Sequence, residues 1–129
     1  MPSSSPPSPR DRREFYRITV NLPISLQAEK DSSEVPLVEK AVNISGGGIG
    51  VIVEIPYRPD EILSCKLRLS DDVLFTSTIE VLRVEPIPYP PGTYRLQARF
   101  FRLPSEIREL LIRHIMRFQR DHLTKHYSA

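Results

Sequence analysis

From Ile18 to Phe100 the apolar residues fall mostly at every second position, and beyond Pro104 they fall at helical spacing. Ile18, Val20, Leu22, Ile24 and Leu26 alternate with Thr19, Asn21, Pro23, Ser25 and Gln27. A period of two predicts a strand with one buried and one wet face. Pro23 falls on the wet side, where a missing N–H predicts an edge or a bulge. Residues 29–36 are polar and end in Pro36, so they read as a loop. A second strand is expected from about Leu37 to Ser45, with Val38, Val42 and Ile44 inward and Glu39, Asn43 and Ser45 outward. Ile49, Val51, Val53 and Ile55 form a third, and Tyr57-Arg58-Pro59-Asp60 reads as a turn. Leu63, Cys65, Leu67 and Leu69 form a fourth. Asp71-Asp72 leads into a fifth, roughly Leu74 to Val84. Pro86-Ile87-Pro88-Tyr89-Pro90-Pro91-Gly92 predicts a stiff proline loop. In the sixth strand Tyr94, Leu96, Ala98 and Phe100 alternate with Arg95, Gln97 and Arg99.

After Pro104, Ser105 is a candidate N-cap, and Glu106 and Glu109 suit the positive end of a helix dipole. Ile107, Leu110, Leu111, Ile115, Phe118 and His122 share helical spacing, with Arg113, Arg117 and Arg120 on another face. One amphipathic helix is expected over about Ser105 to Lys125. The apolar face Ile107-Leu111-Ile115-Phe118 is expected against the strands, with pairing to a second copy as the alternative. The pattern predicts a mainly β fold: a six-stranded antiparallel β-barrel with a C-terminal α-helix. Residues 1–9 carry only Met, Pro and Ser and predict a flexible tail. The remainder, 10–129, reads as one domain, with an arginine-rich arm at 10–17, the barrel at 18–101 and the helix at 105–125.

Composition narrows the function classes. The net charge of +2 over 129 residues is small for a coat on long DNA or RNA, and the strands lack the aromatic–basic alternation of single-strand binders. The single cysteine, Cys65, alternates with Leu63 and Leu67 and reads as a buried core thiol. No apolar run is long enough for a membrane span, and no secretory signal precedes the fold, so a cytoplasmic location is expected. No Ser/His/Asp or Cys/His arrangement supports catalysis. His114, His122 and His126 all fall in the last helix and are expected to be solvated or capping; His122 and His126 lack a third metal ligand.

Two features carry chemistry. Four of the five glycines are Gly46, Gly47, Gly48 and Gly50, more than an ordinary hairpin needs. Asn43 and Ser45 sit two apart on the preceding strand and offer an amide and a hydroxyl toward one face. On these residues a plain turn and a binding loop stay equally open. The second feature is Arg12-Arg13 followed four residues later by Arg17. A guanidinium fork matches phosphate and the O6/N7 edge of guanine. Taken alone, such a run is more often a solvated charge block.

In order and spacing, Arg13-x-x-x-Arg17 followed by Asn43-Ile44-Ser45-Gly46-Gly47-Gly48 resembles the PilZ domain family, bacterial receptors for cyclic di-GMP. The resemblance covers about residues 10–120. It implies a receptor without catalysis or cofactor, whose surface changes when ligand binds and which acts on a downstream protein in motility, biofilm or exopolysaccharide control. Arg13 and Arg17 would hold phosphate and the guanine Hoogsteen edge. Asn43 and Ser45 would meet the other guanine, and Gly46, Gly47 and Gly48 would leave room for it. Arg12, directly before the first motif arginine, implies two nucleotides per chain. Asn43 stands where the family pattern more often has Asp. A PilZ-like interaction adaptor that binds no nucleotide is the alternative.

Overall fold

The computed structural model describes residues 15–31 and 33–127, with backbone alone for 123–127. The predicted tail at 1–9, the arm residues Arg12 and Arg13, and the His126 side chain lie outside the described residues. Strands β1 (Arg17–Ala28), β2 (Val38–Ser45), β3 (Gly48–Val53), β4 (Ile62–Ser70), β5 (Val73–Ile87) and β6 (Thr93–Phe101) precede helix α1 (Ser105–Tyr127). The strands form a closed antiparallel barrel in the order β1-β2-β3-β6-β5-β4.

Closure rests on β1, which serves two neighbours. Arg17 to Ile24 pair with β2, and Ile24 to Ala28 pair with β4. Pro23 lies in the half of β1 that pairs with β2 alone, a locally open side where a residue without an N–H is tolerated. It pairs with Glu39 one residue before the handover from β2 to β4. Closure sends alternate side chains into one core, where Leu63, Cys65 and Leu67 on β4, Phe75, Ile79 and Val81 on β5, and Leu96 and Phe100 on β6 are buried. Phe75 and Phe100 meet edge to face with centroids 5.4 Å apart.

Helix α1 lies over the end of the barrel where β1 begins and β2 ends. Leu111 and Ile115 are fully buried there, and Ile112 reaches Gly46. Ile107, one turn earlier, remains 37% exposed, so the packed stripe starts at Leu111. His114 is buried, contrary to the solvated role expected for it. It shares the inward face with Leu111 and Ile115; its Nδ1 lies 3.0 Å from the Leu110 carbonyl and its ring tilts against Phe118.

Three further departures follow from closure. Pro86 and Ile87 belong to β5, paired with Tyr94 and Thr93, so the proline loop begins at Pro88. Ladder contact on β6 carries the strand through a residue that cannot donate. A bulge between Val81 and Arg83 turns Leu82 outward, where it is 55% exposed. Val38 does not face the core. It lies at the barrel end away from α1, 52% exposed beside Val35 and Ile55.

Burial without a charged neighbour pushes the Cys65 thiol up to about 12. Reaction requires thiolate. Cys65 is therefore expected to resist an aromatic disulfide reagent at pH 8 in the native protein and to react at once in denaturant; rapid native labelling would contradict the burial.

Candidate functional site

The β1–β2 register places Arg17 opposite Ser45 and Thr19 opposite Asn43. Alternation turns Thr19 and Asn43 to the outer face, and one chain of hydrogen bonds joins them to Arg17. Arg17 Nε donates to Asn43 Oδ1 at 2.9 Å, and Asn43 Nδ2 donates to Thr19 Oγ1 at 3.0 Å. The amide is thus used at both ends. Arg17 spends only Nε on Asn43; among the described residues its two Nη groups carry no partner. Because Asn43 is neutral, the Arg17 charge is positioned without being cancelled.

The glycine turn is fixed from three sides. Ser45 is buried, and its Oγ accepts the Gly47 and Gly48 N–H groups at 3.1 and 3.2 Å. A Cβ on Gly48 would overlap the Ala98 carbonyl oxygen, so β3 and β6 could not approach as they do. A Cβ on Gly46 would come within 2.9 Å of the Phe15 ring and 3.0 Å of Ile112. From α1, Arg108 Nε donates to the Gly46 carbonyl at 3.0 Å, with its guanidinium 5.5 Å from the Phe15 ring centroid. The Gly47 carbonyl accepts the Phe100 N–H at 3.0 Å.

Arg17, Asn43, Ser45, Gly47 and Gly48 line a single groove of about 310 Å³, with Phe15 at one end. Gly46 sits behind it, under Phe15 and Ile112. The far wall is Leu82, Gln97 and Arg99 from β5 and β6. Arg99 is engaged by Glu80: its Nε donates to Oε1 at 2.6 Å and its Nη2 pairs with the same oxygen. The groove therefore presents one cation held by a neutral amide and one held by a carboxylate. Planar guanidinium groups beside a flat glycine backbone suit an anionic, planar ligand.

Of the residues singled out in the sequence, Arg17, Asn43, Ser45 and the three glycines converge. Ser45 differs from its expected outward role, because its hydroxyl is occupied inside the turn. Sequence reasoning missed Phe15, Leu82, Gln97, Arg99 and Arg108 as parts of this site. The adjacent apolar pair Val81-Leu82, which breaks alternation, is the local signal for the exposed leucine. Phe15, Arg99 and Arg108 join the site through long-range pairing and carry no local signal. Among the described residues there is no group of three or more His, Cys, Asp or Glu able to hold a metal, and no helix long and apolar enough to cross a membrane.

The role of Ser45 is open to measurement. Ser45→Ala leaves two N–H groups of a buried turn without an acceptor, which costs about 1–3 kcal/mol. Urea unfolding is expected to show a lower midpoint with unchanged slope; an unchanged midpoint would show that Ser45 does not hold the turn.

A model of the PilZ domain matches residues 11–117. Flagellar brake protein YcgR of Azoarcus sp. (strain BH72) is 31% identical over 122 residues, which cover 85% of this chain and 47% of that protein. The chain thus spans about half the length of this relative. Among solved structures, a tetrameric PilZ domain protein from Xanthomonas campestris, self-assembled through a helical bundle, aligns with TM-score 0.71 at 17% identity, covering 86% of this chain and 92% of that one. YcgR of Escherichia coli, solved with c-di-GMP, aligns with TM-score 0.69 at 18% identity, covering 88% and 49%. The Bacillus subtilis inhibitor of motility MotI/DgrA aligns with TM-score 0.67 at 20% identity, covering 85% and 52%. These structural likenesses carry the fold; the match over residues 11–117, together with the barrel and its glycine turn, makes this chain a member of the PilZ domain family.

Proposed function

We propose that this chain is a non-enzymatic receptor for cyclic di-GMP, acting through one PilZ unit over 10–129. The observation that carries the reading is the Arg17–Asn43–Thr19 bridge at the lip of the glycine turn. It presents the two Nη groups of Arg17 to a groove whose floor is bare backbone. Arg17 binds phosphate and the guanine edge, while Asn43 holds it in place. Gly47 and Gly48 let the ligand lie close to the chain.

Arg12 and Arg13 complete the site from the N-terminal side. Phe15 rests on Gly46 and Gly47, and Arg13 is two residues before it. Phe15 itself lines one end of the groove, so the chain enters the site from this side. Closure of this arm over the ligand alters the surface around Phe15 and Arg108, and that altered surface is what a downstream protein reads. Likeness to a protein named as a flagellar brake, and to E. coli YcgR solved with c-di-GMP, supports a motility output and this ligand.

One observation favours an adaptor instead. Val35, Val38 and Ile55 leave apolar surface at the barrel end away from α1, which a protein partner could cover without any nucleotide. Self-association through α1 would draw on Ile107 and Met116, which are exposed, since Leu111 and Ile115 are committed to the barrel.

Calorimetric titration separates receptor from adaptor. Cyclic di-GMP is expected to bind, and Arg17→Ala to weaken binding by roughly thirtyfold or more, the loss of about 2 kcal/mol for a charge-assisted contact. Absence of heat and of thermal stabilisation in the wild type, alongside a stable protein complex, would favour the adaptor. Binding that is indifferent to Arg17→Ala would remove that residue from the site.

A further inference from the structure

Gly50 is the glycine of the cluster that the fold does not explain. A Cβ there would make only ordinary contacts, 3.7 Å from Asn43 Cβ and from the Leu96 carbonyl oxygen, and 4.0 Å from Gln97 Cγ. Its backbone is not in the left-handed region, and it lies inside β3, where a glycine weakens the strand. What the missing side chain produces is space. Gly50 pairs with Asn43 on one side and Gln97 on the other, and the outer face above it is a trough of about 360 Å³. Thr19 and Asn43 form one wall, Gln97 and Arg95 the other. The trough shares Asn43 and Gln97 with the groove at the glycine turn, so the two adjoin along the outer face.

The walls differ in what they have left to give. Asn43 is bonded at both ends of its amide. Gln97 is exposed, and its amide makes no hydrogen bond among the described residues; the Arg95 guanidinium, two positions along the same face, pairs with no carboxylate among them. A side-chain amide offers both an N–H donor and a carbonyl acceptor, matching the O6 and N1–H of a guanine Watson–Crick edge. An arginine fork matches the two acceptors, O6 and N7, on the Hoogsteen edge. Adenine offers a donor where guanine has O6, so the arginine favours guanine.

We infer that the trough over Gly50 is a second purine subsite, in which a guanine lies flat on the β3 backbone and is read by Gln97 and Arg95. This deepens the receptor reading and rests on it. The guanine comes either from the far half of the nucleotide bound at Arg17 or from a second nucleotide beside it; the same chemistry serves both.

The test is calorimetric titration of the full chain with cyclic di-GMP and cyclic di-AMP, for wild type, Gly50→Val, Gln97→Ala and Arg17→Ala, with melting temperatures measured in parallel. Valine suits a strand and its Cβ fits, so Gly50→Val is expected to melt at or above the wild-type temperature. The same variant is expected to lose at least tenfold in affinity for cyclic di-GMP. Gln97→Ala, whose side chain is exposed, is expected to lose at least threefold and to narrow the preference over cyclic di-AMP. A fall in stoichiometry from two to one in Gly50→Val assigns the trough to a second nucleotide; weaker binding at unchanged stoichiometry assigns it to the same one. Should Gly50→Val fail to fold, Gln97→Ala decides. Wild-type binding that Arg17→Ala abolishes but that ignores both trough variants would overturn the subsite alone. No binding by the wild type would remove the receptor reading itself, and the subsite with it.

Discussion

The contact between the Gly48 backbone and the Ala98 carbonyl governs much of this molecule. No side chain fits between β3 and β6 at that point, and the ladder from Gly48–Arg99 to Val53–Tyr94 follows from it. That ladder joins the N-terminal three strands to β5 and β6 and so helps close the barrel. It also fixes which outward residues share a row: Thr19, Asn43, Gly50 and Gln97 lie across four neighbouring strands. A slip of one residue would turn this row inward and the core outward. Fold and candidate site therefore depend on the same close approach.

The turn at Gly46 and Gly47 is held by polar groups from its own strand, from β6 and from α1. Ser45 satisfies two N–H groups, Phe100 takes the Gly47 carbonyl and Arg108 takes the Gly46 carbonyl. Arg108 also places the first turns of α1 and the Phe15 ring against each other. The turn is thus in direct contact with both the helix and Phe15. In the proposed receptor this linkage would carry binding to the surface. Charge is arranged to the same end: the neutral Asn43 orients Arg17 without cancelling it, whereas Glu80 holds Arg99. An aspartate at 43 would bond Arg17 more strongly but add a negative charge beside an anionic ligand.

Alternation in the sequence places all six strands and the helix to within a few residues, because a closed barrel with one apolar core leaves a period of two almost unbroken. Departures occur where tertiary pairing outweighs the local signal. Pro86 reads as loop but is held in β5 by β6. His114 reads as solvated, yet helical geometry sets it between Leu111 and Ile115 on the barrel. The Asn43 and glycine positions are legible because they lie in or next to the turn they serve, and Arg17 because it repeats an arginine four residues after Arg13. Arg99, Arg108 and Phe15 are not, since they reach that turn from other elements through packing. Ser45 was legible as important but not in its role, because a hydroxyl near free N–H groups looks the same whether it serves a ligand or the turn.

As proposed, Arg17, the glycine turn and the trough over Gly50 form one binding face on the outside of the barrel. Residue-resolved amide chemical shifts of the full chain during addition of cyclic di-GMP test it most directly. The shifts are expected to concentrate on Arg17, Asn43, Gly47 to Gly50 and Gln97, leaving Val38, Ile55 and the far end of the barrel unmoved. Shifts confined to that far end, or none at saturating ligand, would contradict it.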